Sequence, residues 1–350
     1  MDAQCYFRLS GEHPTLPLSE LKAILESIAP DSTVKAYYRP LALVECRPCR
    51  ARVVVDGVLR RAGLIKSGGL LLGIFSDEEH LEREAKRILD ALAGHGVRGP
   101  LRVEAHRLLG LWRGASTARV TRLLASLLGE GGVGATPRSR TVLEVLYAEG
   151  VIVVGLRLAV LDTRGFAERS PARRPFFKPG PLDQRLSRAL VNLARLRPGG
   201  VFWDPFCGTG GIALEACLVG AGRCLCGDIN LEMAYGSQRN LEHYSQGPPS
   251  LSYIGDALHP PVRGGIDAVA TDPPYGRSTS LGGRTRRILY RGFLEAALSL
   301  LRKGSYLVFA APEAERPHEI ASSLGYEVIE SHYMYVHGSL VREIVVARAP

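Results

Sequence analysis

The chain is poor in lysine and has no long apolar run. Of its 44 basic residues only six are lysines, so arginine supplies nearly all of the positive charge. No run of about 18 consecutive apolar residues is present, which excludes a typical transmembrane helix. The first residues also lack the basic segment and apolar core of a secretory signal. We therefore expect a cytoplasmic protein without a membrane partner.

The seven cysteines do not complete a recognisable site. Cys46 and Cys49 have the spacing of a zinc knuckle, but no second C-x2-C or H-x3-H pair supplies the other ligands. Cys224 and Cys226 alternate within an apparent strand and should face the same way. We expect all seven to pack as small apolar side chains and predict no metal site. A disulfide or a half-formed metal site is the alternative.

The remaining composition is that of a globular protein, with 46% hydrophobic and 23% charged residues. A chain of 350 residues exceeds what one core usually holds, so two or three domains are expected. The net charge of +9 points to a polyanionic partner. Because the guanidinium fork suits phosphates and bases, we favour RNA, although a GC-rich or thermophilic source also enriches arginine.

The positive charge is concentrated in an N-terminal region of mixed strands and helices. Residues 98–140 hold eight arginines against two acids, which gives this segment a net charge of +6. A helix around Val120 to Leu128 and a hairpin over residues 141–156 follow from the apolar spacing. A local cluster of this kind predicts RNA contacts, with a solvated charged face as the alternative. The candidate RNA-binding residues here are Arg102, Arg113, Arg119, Arg122, Arg138 and Arg140.

A basic, proline-rich connector over residues 161–180 separates two predicted domains, residues 1–160 and 181–350. In the second domain apparent strands and helices alternate, which predicts an α/β fold with parallel strands and crossover helices on both faces. The last two strands have no helix between them and must run antiparallel. Sheets of this class bind ligands at the carboxyl ends of their strands.

Four consecutive strands of the second domain are predicted to end in an acidic residue. The first ends in the glycine-rich turn Asp204–Gly211, and the others end at Asp228, Asp256 and Asp272. An acid beside a glycine turn disfavours pyrophosphate and suits S-adenosylmethionine, which carries a sulfonium, an ammonium and ribose hydroxyls. Helix capping is the alternative for each acid taken singly. The predicted cofactor-binding residues are Asp204, Pro205, Cys207, Gly208, Thr209, Gly210, Asp228, Asp256, Ala257 and Asp272.

The fourth acid opens the sequence Asp272-Pro273-Pro274-Tyr275-Gly276, which predicts a rigid corner. The two prolines fix φ and remove two backbone donors, so their carbonyls are left to accept hydrogen bonds. A carboxylate, a carbonyl and an aromatic ring suit a planar base with an exocyclic amino group. We predict Asp272, Pro273 and Tyr275 as catalytic residues. The alternative is an ordinary Pro-Pro turn in which Tyr275 only packs.

These motifs resemble a known enzyme family. The glycine turn and Asp272–Tyr275, preceded by the Pro-Gly segment Arg174–Gly180, resemble class I S-adenosylmethionine-dependent methyltransferases that modify exocyclic amines. More narrowly, Asp204–Gly211 with Asp272–Ser278 resembles the archaeal tRNA guanosine N2-methyltransferases of position 10. The basic N-terminal region resembles their THUMP domain, preceded by a ferredoxin-like half. The resemblance implies a Rossmann-like catalytic domain, S-adenosylmethionine as cofactor and tRNA as partner. We expect the protein to be a monomer.

The resemblance also implies roles for the corner in adding one or two methyl groups to guanine N2. We expect the Asp272 carboxylate and the Pro273 carbonyl to accept the two N2 hydrogens while Tyr275 stacks on a base taken out of its helix. The basic loop over residues 276–287, which contains Arg277, should grip phosphates near the target.

Other readings stay open on the sequence. The target could be adenine N6, or guanine N2 of ribosomal RNA, and a catalytically inactive RNA-binding protein is an alternative of another class. A nicotinamide oxidoreductase is disfavoured because Ala213 stands where its third glycine would be.

Overall fold

The structure is a computed structural model that describes residues 4–112, 114–245, 250–275, 285–338 and 340–350. The chain forms two compact units, each built on a seven-stranded sheet. Most of the first unit comes from residues before 162 and most of the second from residues after 161, with residues 26–28 and 61–64 assigned to the second. None of the helices that the structure describes is long and apolar enough to cross a membrane.

The first unit is a sheet with helices packed on it. Its strands lie in the order β2-β3-β1-β4-β7-β6-β5, so the two halves expected from the sequence share one continuous sheet. Tight packing at the centre requires glycine, since a Cβ on Gly155 of β7 would lie 2.1 Å from the Tyr6 ring of β1. The elements are β1 (Cys5–Leu9), α1 (Leu16–Ile28), β2 (Thr33–Tyr38), β3 (Leu41–Glu45), α2 (Ala51–Arg61), β4 (Ile65–Phe75), α3 (Glu78–Arg83), α4 (Ala85–Gly94), β5 (Arg102–Arg107), α5 (Thr117–Glu130), β6 (Val142–Ala148) and β7 (Val151–Val160).

The helix and hairpin predicted in the arginine-rich segment are both present. Helix α5 buries Val120, Leu124 and Leu128, and the Ser116 side chain caps it by accepting from Arg119 N. Strands β6 and β7 pair antiparallel as the hairpin. Strand β5, which pairs parallel to β6, was not expected because its polar composition hides the alternation of a strand.

The second unit has the alternating organisation that the sequence predicts. Its strands lie in the order β10-β9-β8-β11-β12-β14-β13. The five strands β8 to β12 run parallel to one another. Strand β14 runs antiparallel to β12, and β13 runs antiparallel to β14. The elements are α6 (Thr163–Glu168), α7 (Gln184–Leu193), β8 (Val201–Asp204), α8 (Gly211–Leu218), β9 (Arg223–Asp228), α9 (Leu231–Tyr244), β10 (Ser250–Ile254), β11 (Ile266–Thr271), α10 (Arg286–Leu300), β12 (Leu301–Pro312), α11 (Pro317–Ser323), β13 (Glu327–His337) and β14 (Leu340–Arg348).

The strand order places a crevice between β8 and β11. The chain leaves β8 toward β9 on one side and later returns to β11 on the other, so the winding direction reverses between these neighbours. In open α/β sheets, ligands bind outside the carboxyl ends of the strands at such a reversal. Beneath it lies an apolar cluster that includes Trp203, Phe293 and Phe309, all fully buried. This core fixes the strand ends from which the acids project.

Candidate active site

The ends of β8 and β11 are joined through the first predicted acid. Thr271 Oγ1 donates to Asp204 Oδ1 at 2.6 Å, and Phe206 N donates to the same oxygen at 3.2 Å. Asp204 is buried, and no described residue donates to its Oδ2. Burial raises the pKa of Asp204 to about 7 despite these two hydrogen bonds, and the charges of Asp228 and Asp272 raise it further. A buried carboxylate oxygen without a partner is suited to a cationic or hydrogen-bond-donating ligand.

The turn after β8 needs glycine at two positions because its backbone adopts positive φ angles there. Gly208 and Gly210 have φ values of +51° and +83°, a region that other residues seldom adopt. Gly210 precedes α8, so the turn presents the start of a helix. Pro205 and Thr209, two further predicted contacts, are buried in the turn. The loop therefore has the open backbone expected of a ligand-binding turn.

The expectation that all seven cysteines only pack is wrong for Cys207 and Cys226, because these two form a disulfide, which was the alternative. The turn folds back on β9, where Cys207 N donates to the Gly227 carbonyl at 2.9 Å, and this brings the two sulfurs together. The Cys207 side chain is thus used in a cross-link between the glycine turn and β9. Two other pairs of free thiols are hydrogen-bonded without forming a disulfide: the sulfurs of Cys217 and Cys224 lie 2.8 Å apart, and those of Cys5 and Cys46 lie 3.5 Å apart.

The acid at the end of β9 supports the glycine turn and does not cap a helix. Asp228 Oδ2 accepts from Gly208 N at 2.9 Å, and Oδ1 accepts from Asn230 N at 2.8 Å. The cap of α9 is the Asn230 side chain, which accepts from Glu232 N and Met233 N. Burial raises the pKa of Asp228, and the two backbone donors oppose that rise. The capping alternative therefore does not apply to this residue.

The third predicted acid lies at the same edge of the sheet. Ile254 of β10 is paired with Asp228 of β9, so Asp256 follows two residues beyond that level. Asp256 Oδ1 accepts from Leu258 N at 3.0 Å, and Ala257 between them is buried. The sheet thus brings three of the predicted acids to consecutive strand ends.

The Pro-Pro corner holds its carboxylate with two further side chains. Tyr275 Oη donates to Asp272 Oδ1 at 2.5 Å, and Arg342 Nε donates to Tyr275 Oη at 2.7 Å. Arg342 Nη2 also lies 3.8 Å from Asp272 Oδ2. The alternative in which Tyr275 only packs is thus incomplete, because its hydroxyl links a carboxylate to a guanidinium.

The carbonyls of the corner differ in whether a described residue donates to them. Pro274 O accepts from Tyr290 Oη at 3.2 Å, and Tyr275 O accepts from Arg286 Nη1 at 3.2 Å. No donor among the described residues bonds to Pro273 O. Asp272 and Pro273 therefore present a carboxylate and a carbonyl side by side along the chain.

Opposing effects set the charge of the corner. Burial raises the pKa of Asp272, whereas the positive charge of Arg342 and the hydrogen bond from Tyr275 lower it. Burial and the neighbouring Asp272 charge keep the pKa of Tyr275 well above its usual value, so this phenol remains a donor. Arg342 and Tyr275 thus both favour an ionised Asp272, and the charge of Arg342 has the larger effect.

Comparisons with known proteins identify the family of the chain. Residues 171–344 match the family model described as "RMKL-like, methyltransferase domain". A protein of Methanothermobacter thermautotrophicus, named tRNA (guanine(10)-N2)-dimethyltransferase, is 30% identical over 96% of this chain and 96% of its own length. The chain belongs to this dimethyltransferase family. A Methanocaldococcus jannaschii relative of the same name is 28% identical over 96% of this chain and 97% of its own.

Solved structures support the fold. TrmN from Thermus thermophilus superposes with a TM-score of 0.55 over 99% of this chain and 100% of its own, at 21% identity. The predictions of a Rossmann-like methyltransferase fold and of enzymatic activity are confirmed by this fold and by the family.

Two side chains of this dimethyltransferase site were not found from its sequence. Arg342 lies near the start of β14, and antiparallel pairing of β14 with β12 carries it to the corner. Arg286, at the start of α10, reaches the Tyr275 carbonyl. Arg342 and Glu343 interrupt the apolar residues of β14, which is a signal for Arg342, but the strand order is needed to say which acid it meets.

The arginines predicted to bind RNA differ in how much of their charge is available. Arg102 lies 2.8 Å from Glu104 and Arg119 lies 3.2 Å from Glu82. Arg122, also exposed, bonds the Ala118 carbonyl one turn earlier in α5. Arg138 and Arg140 are exposed in the segment before β6. Arg113 and Arg277, with most of the basic loop at residues 276–287, lie outside the described residues.

One acidic cluster in the first unit has the composition of a metal site. Ligand atoms of Glu104, His106 and Glu144 lie within 4.8 Å of one another. Arg157 Nη1 donates to Glu104 at 2.7 Å, and Tyr6 Oη donates to Glu144 at 2.7 Å. Because the Arg157 guanidinium also lies 3.5 Å from Glu144 and so pairs with both carboxylates, the cluster is better described as a partly buried ion-pair network.

Proposed function

We propose that this protein transfers methyl groups from S-adenosylmethionine to N2 of guanosine 10 in tRNA. Its membership of the dimethyltransferase family, over nearly the full chain, supports the choice of nucleotide. The observation that carries the chemistry is the corner, where Asp272 and the open Pro273 carbonyl provide two acceptors. An exocyclic amine has two hydrogens to be held, and these acceptors match them.

The residues at the strand ends fit S-adenosylmethionine. The Oδ2 of Asp204, which has no partner among the described residues, suits the ammonium group of the cofactor, and the glycine turn allows close approach of the ligand. Asp228 and Asp256, farther along the same edge, suit ribose hydroxyls and the adenine amino group. When bound, S-adenosylmethionine supplies an electrophilic methyl group on a sulfonium and leaves as S-adenosylhomocysteine.

The corner makes a poor nucleophile reactive by orienting it. The N2 lone pair of guanine is delocalised into the ring, so positioning must supply much of the catalysis. Asp272 and the Pro273 carbonyl accept the two N2 hydrogens and direct the lone pair at the methyl. A new N–C bond replaces the S–C bond, and Asp272 takes the proton that N2 releases. Tyr275 and Arg342 hold the carboxylate in place and ionised.

Two further features complete the proposal. The ring of Tyr275, fixed at its hydroxyl, stacks on the flipped guanine and offsets part of the unstacking cost. After the first transfer one N–H remains on N2, so one acceptor is enough for the second methylation. The first unit acts as a THUMP-type tRNA-binding region, with the exposed Arg138 and Arg140 contacting phosphates.

Nucleoside analysis tests the proposal. The full chain is incubated with an unmodified tRNA transcript and methyl-labelled S-adenosylmethionine, and the digested RNA is examined by mass spectrometry. We expect N2-methylguanosine followed by N2,N2-dimethylguanosine, and no label in a transcript with adenosine at position 10. Labelled N6-methyladenosine, label at another guanosine, or no transfer would each reject the assignment.

A further inference from the structure

A buried arginine beside the glycine turn has two terminal nitrogens that pair with no described residue. Arg174 lies in the segment between α6 and α7 and is 5% exposed. Its Nε donates to the Arg169 carbonyl at 3.1 Å, but neither Nη1 nor Nη2 has a hydrogen-bond partner among the described residues. Burying unpaired guanidinium donors is costly. These atoms therefore mark a place for an acceptor that the described residues do not supply.

The unpaired nitrogens face the start of helix α8. A Cβ built on Gly211 would lie 2.9 Å from Arg174 Nη1 and 3.5 Å from Nη2, so the guanidinium packs on the bare Cα of this glycine. Gly211 is the first residue of α8, and its predecessor Gly210 offers no side chain to cap the helix. The unsatisfied N–H groups of a helix start add partial positive charge to that of the guanidinium. The combination favours an anion.

The position of Arg174 is fixed by contacts within the second unit. Asn240 Nδ2 donates to the carbonyls of Phe176 and Thr209, both at 2.8 Å, and Asn240 Oδ1 accepts from Phe176 N at 2.9 Å. The Phe176 ring also fills the space that a Cβ on Gly236 would occupy. One buried amide thus joins the segment that carries Arg174 to the glycine turn.

The nearest carboxylate is already engaged. Glu215, fully buried in α8, accepts from Arg169 Nε at 2.6 Å and from Arg188 Nε at 2.8 Å. Burial lowers the pKa of Arg174, while Glu215 partly opposes that effect through its charge. Arg169 and Arg188 thus pair with Glu215, whereas Nη1 and Nη2 of Arg174 have no partner among the described residues.

We propose that Arg174 binds the carboxylate at the amino-acid end of S-adenosylmethionine. The inference rests on the proposed function, which identifies the ligand of the glycine turn. Among the described residues, nothing pairs with a carboxylate oxygen of the turn's first residue, Asp204, or with the two terminal guanidinium nitrogens of Arg174 that lie against its last residue, Gly211. The amino-acid end of the cofactor carries the complementary ammonium and carboxylate. A guanidinium fork binds a carboxylate through two parallel hydrogen bonds, which gives direction as well as affinity.

Calorimetry on the full chain can measure how much the carboxylate of the cofactor contributes to binding. S-adenosylhomocysteine is compared with its decarboxylated analogue, which keeps the adenine, ribose, thioether and amine. We expect the wild type to bind S-adenosylhomocysteine about 10- to 100-fold more tightly, as for one charge-assisted hydrogen-bonded pair. Arg174→Met should remove this difference by weakening S-adenosylhomocysteine alone. Arg173→Met, at the exposed neighbour, is the matched control and should keep the full difference.

Each contrary result has a distinct meaning. Equal binding of both compounds by the wild type would overturn the carboxylate subsite, and an equal loss of both in Arg174→Met would make Arg174 a purely structural residue. Failure of the wild type to bind S-adenosylhomocysteine would instead refute the cofactor of the proposed function. Should the methionine variant not fold, Arg174→Lys keeps the charge without the fork. Arg174→Lys should lose less affinity than the methionine variant, and only for S-adenosylhomocysteine, which carries the carboxylate.

Discussion

The two units carry their functional side chains in different ways. In the second unit Asp204, Asp228, Asp256 and Asp272 follow strands that end at one edge of a parallel sheet. In the first unit the candidate arginines are distributed over β5, α5 and the segment before β6. Two of them are already paired with acids. The carboxylates converge, whereas the arginines remain separate charges.

The difference shows what each kind of sequence signal can establish. A parallel α/β sheet places every strand's carboxyl end at the same edge, so a position along the chain becomes a position in space. A local excess of arginine fixes only a net charge, and its use depends on which residues pair internally. Substitutions in both units can test whether activity depends strongly on single carboxylates of the second unit and only weakly on each arginine of the first.

The largest expected effect comes from the corner. Asp272→Ala removes both an acceptor for N2 and the proton acceptor, so methyl transfer should fall about 1,000-fold or more. Transfer is measured as labelled methyl incorporated into tRNA. Affinity for S-adenosylhomocysteine should stay close to that of the wild type, and Asp272→Asn, which keeps the shape and one carbonyl, should lose nearly as much activity. Turnover like that of the wild type would remove Asp272 from the mechanism.

Most of the second unit could be predicted from periodicity and spacing. Alternating strands and helices, the antiparallel end of the sheet and the acids at its edge all follow from local pattern and from the handedness of crossovers. The continuous sheet of the first unit could not, because it depends on β4 pairing with both β1 and β7. Pairings of that kind join segments far apart in sequence, and glycines such as Gly155 are interpretable only once Tyr6 is known to lie against them.

The candidate site could likewise be predicted only where it depends on neighbouring residues in the sequence. Residues within one strand-end motif were found, whereas partners brought from other elements were missed. Arg342 meets Tyr275 across a separation of 67 residues, and Cys226 meets Cys207 across 19. Arg174 lies in a segment that the sequence marks only as proline-rich and basic, and its burial and unpaired fork appear only in three dimensions.

An intermediate effect is expected from the arginine of the corner. Arg342 opposes the burial that raises the pKa of Asp272, so Arg342→Met should raise that pKa further. Because the ionised carboxylate is the active form, the acidic limb of the pH–rate profile should move to higher pH. Activity at neutral pH should fall about 10-fold, as for a lost charge-assisted hydrogen bond.

The control for this variant lies on the same strand. Arg348→Met removes an arginine that pairs with Glu327 at the other end of β14, and its pH profile should match that of the wild type. The affinity of Arg342→Met for S-adenosylhomocysteine should not change. A uniform loss at all pH values, with no displacement of the acidic limb, would show that Arg342 only supports the fold of the corner.

The smallest effect is expected from the arginines of the first unit. Replacing both Arg138 and Arg140 with alanine should weaken tRNA binding by about 3- to 10-fold. The slope of the logarithm of the binding constant against the logarithm of the salt concentration should become shallower by about 0.7–0.9 per lost phosphate contact. Filter binding across a range of salt concentrations measures both quantities. Arg60→Ala is the control, since this exposed arginine of α2 pairs with Asp56. Because contacts of this kind act singly and additively, each arginine alone should contribute about half of the change in slope. An unchanged slope in the double variant would mean that these two charges face solvent, and that tRNA is held by other residues.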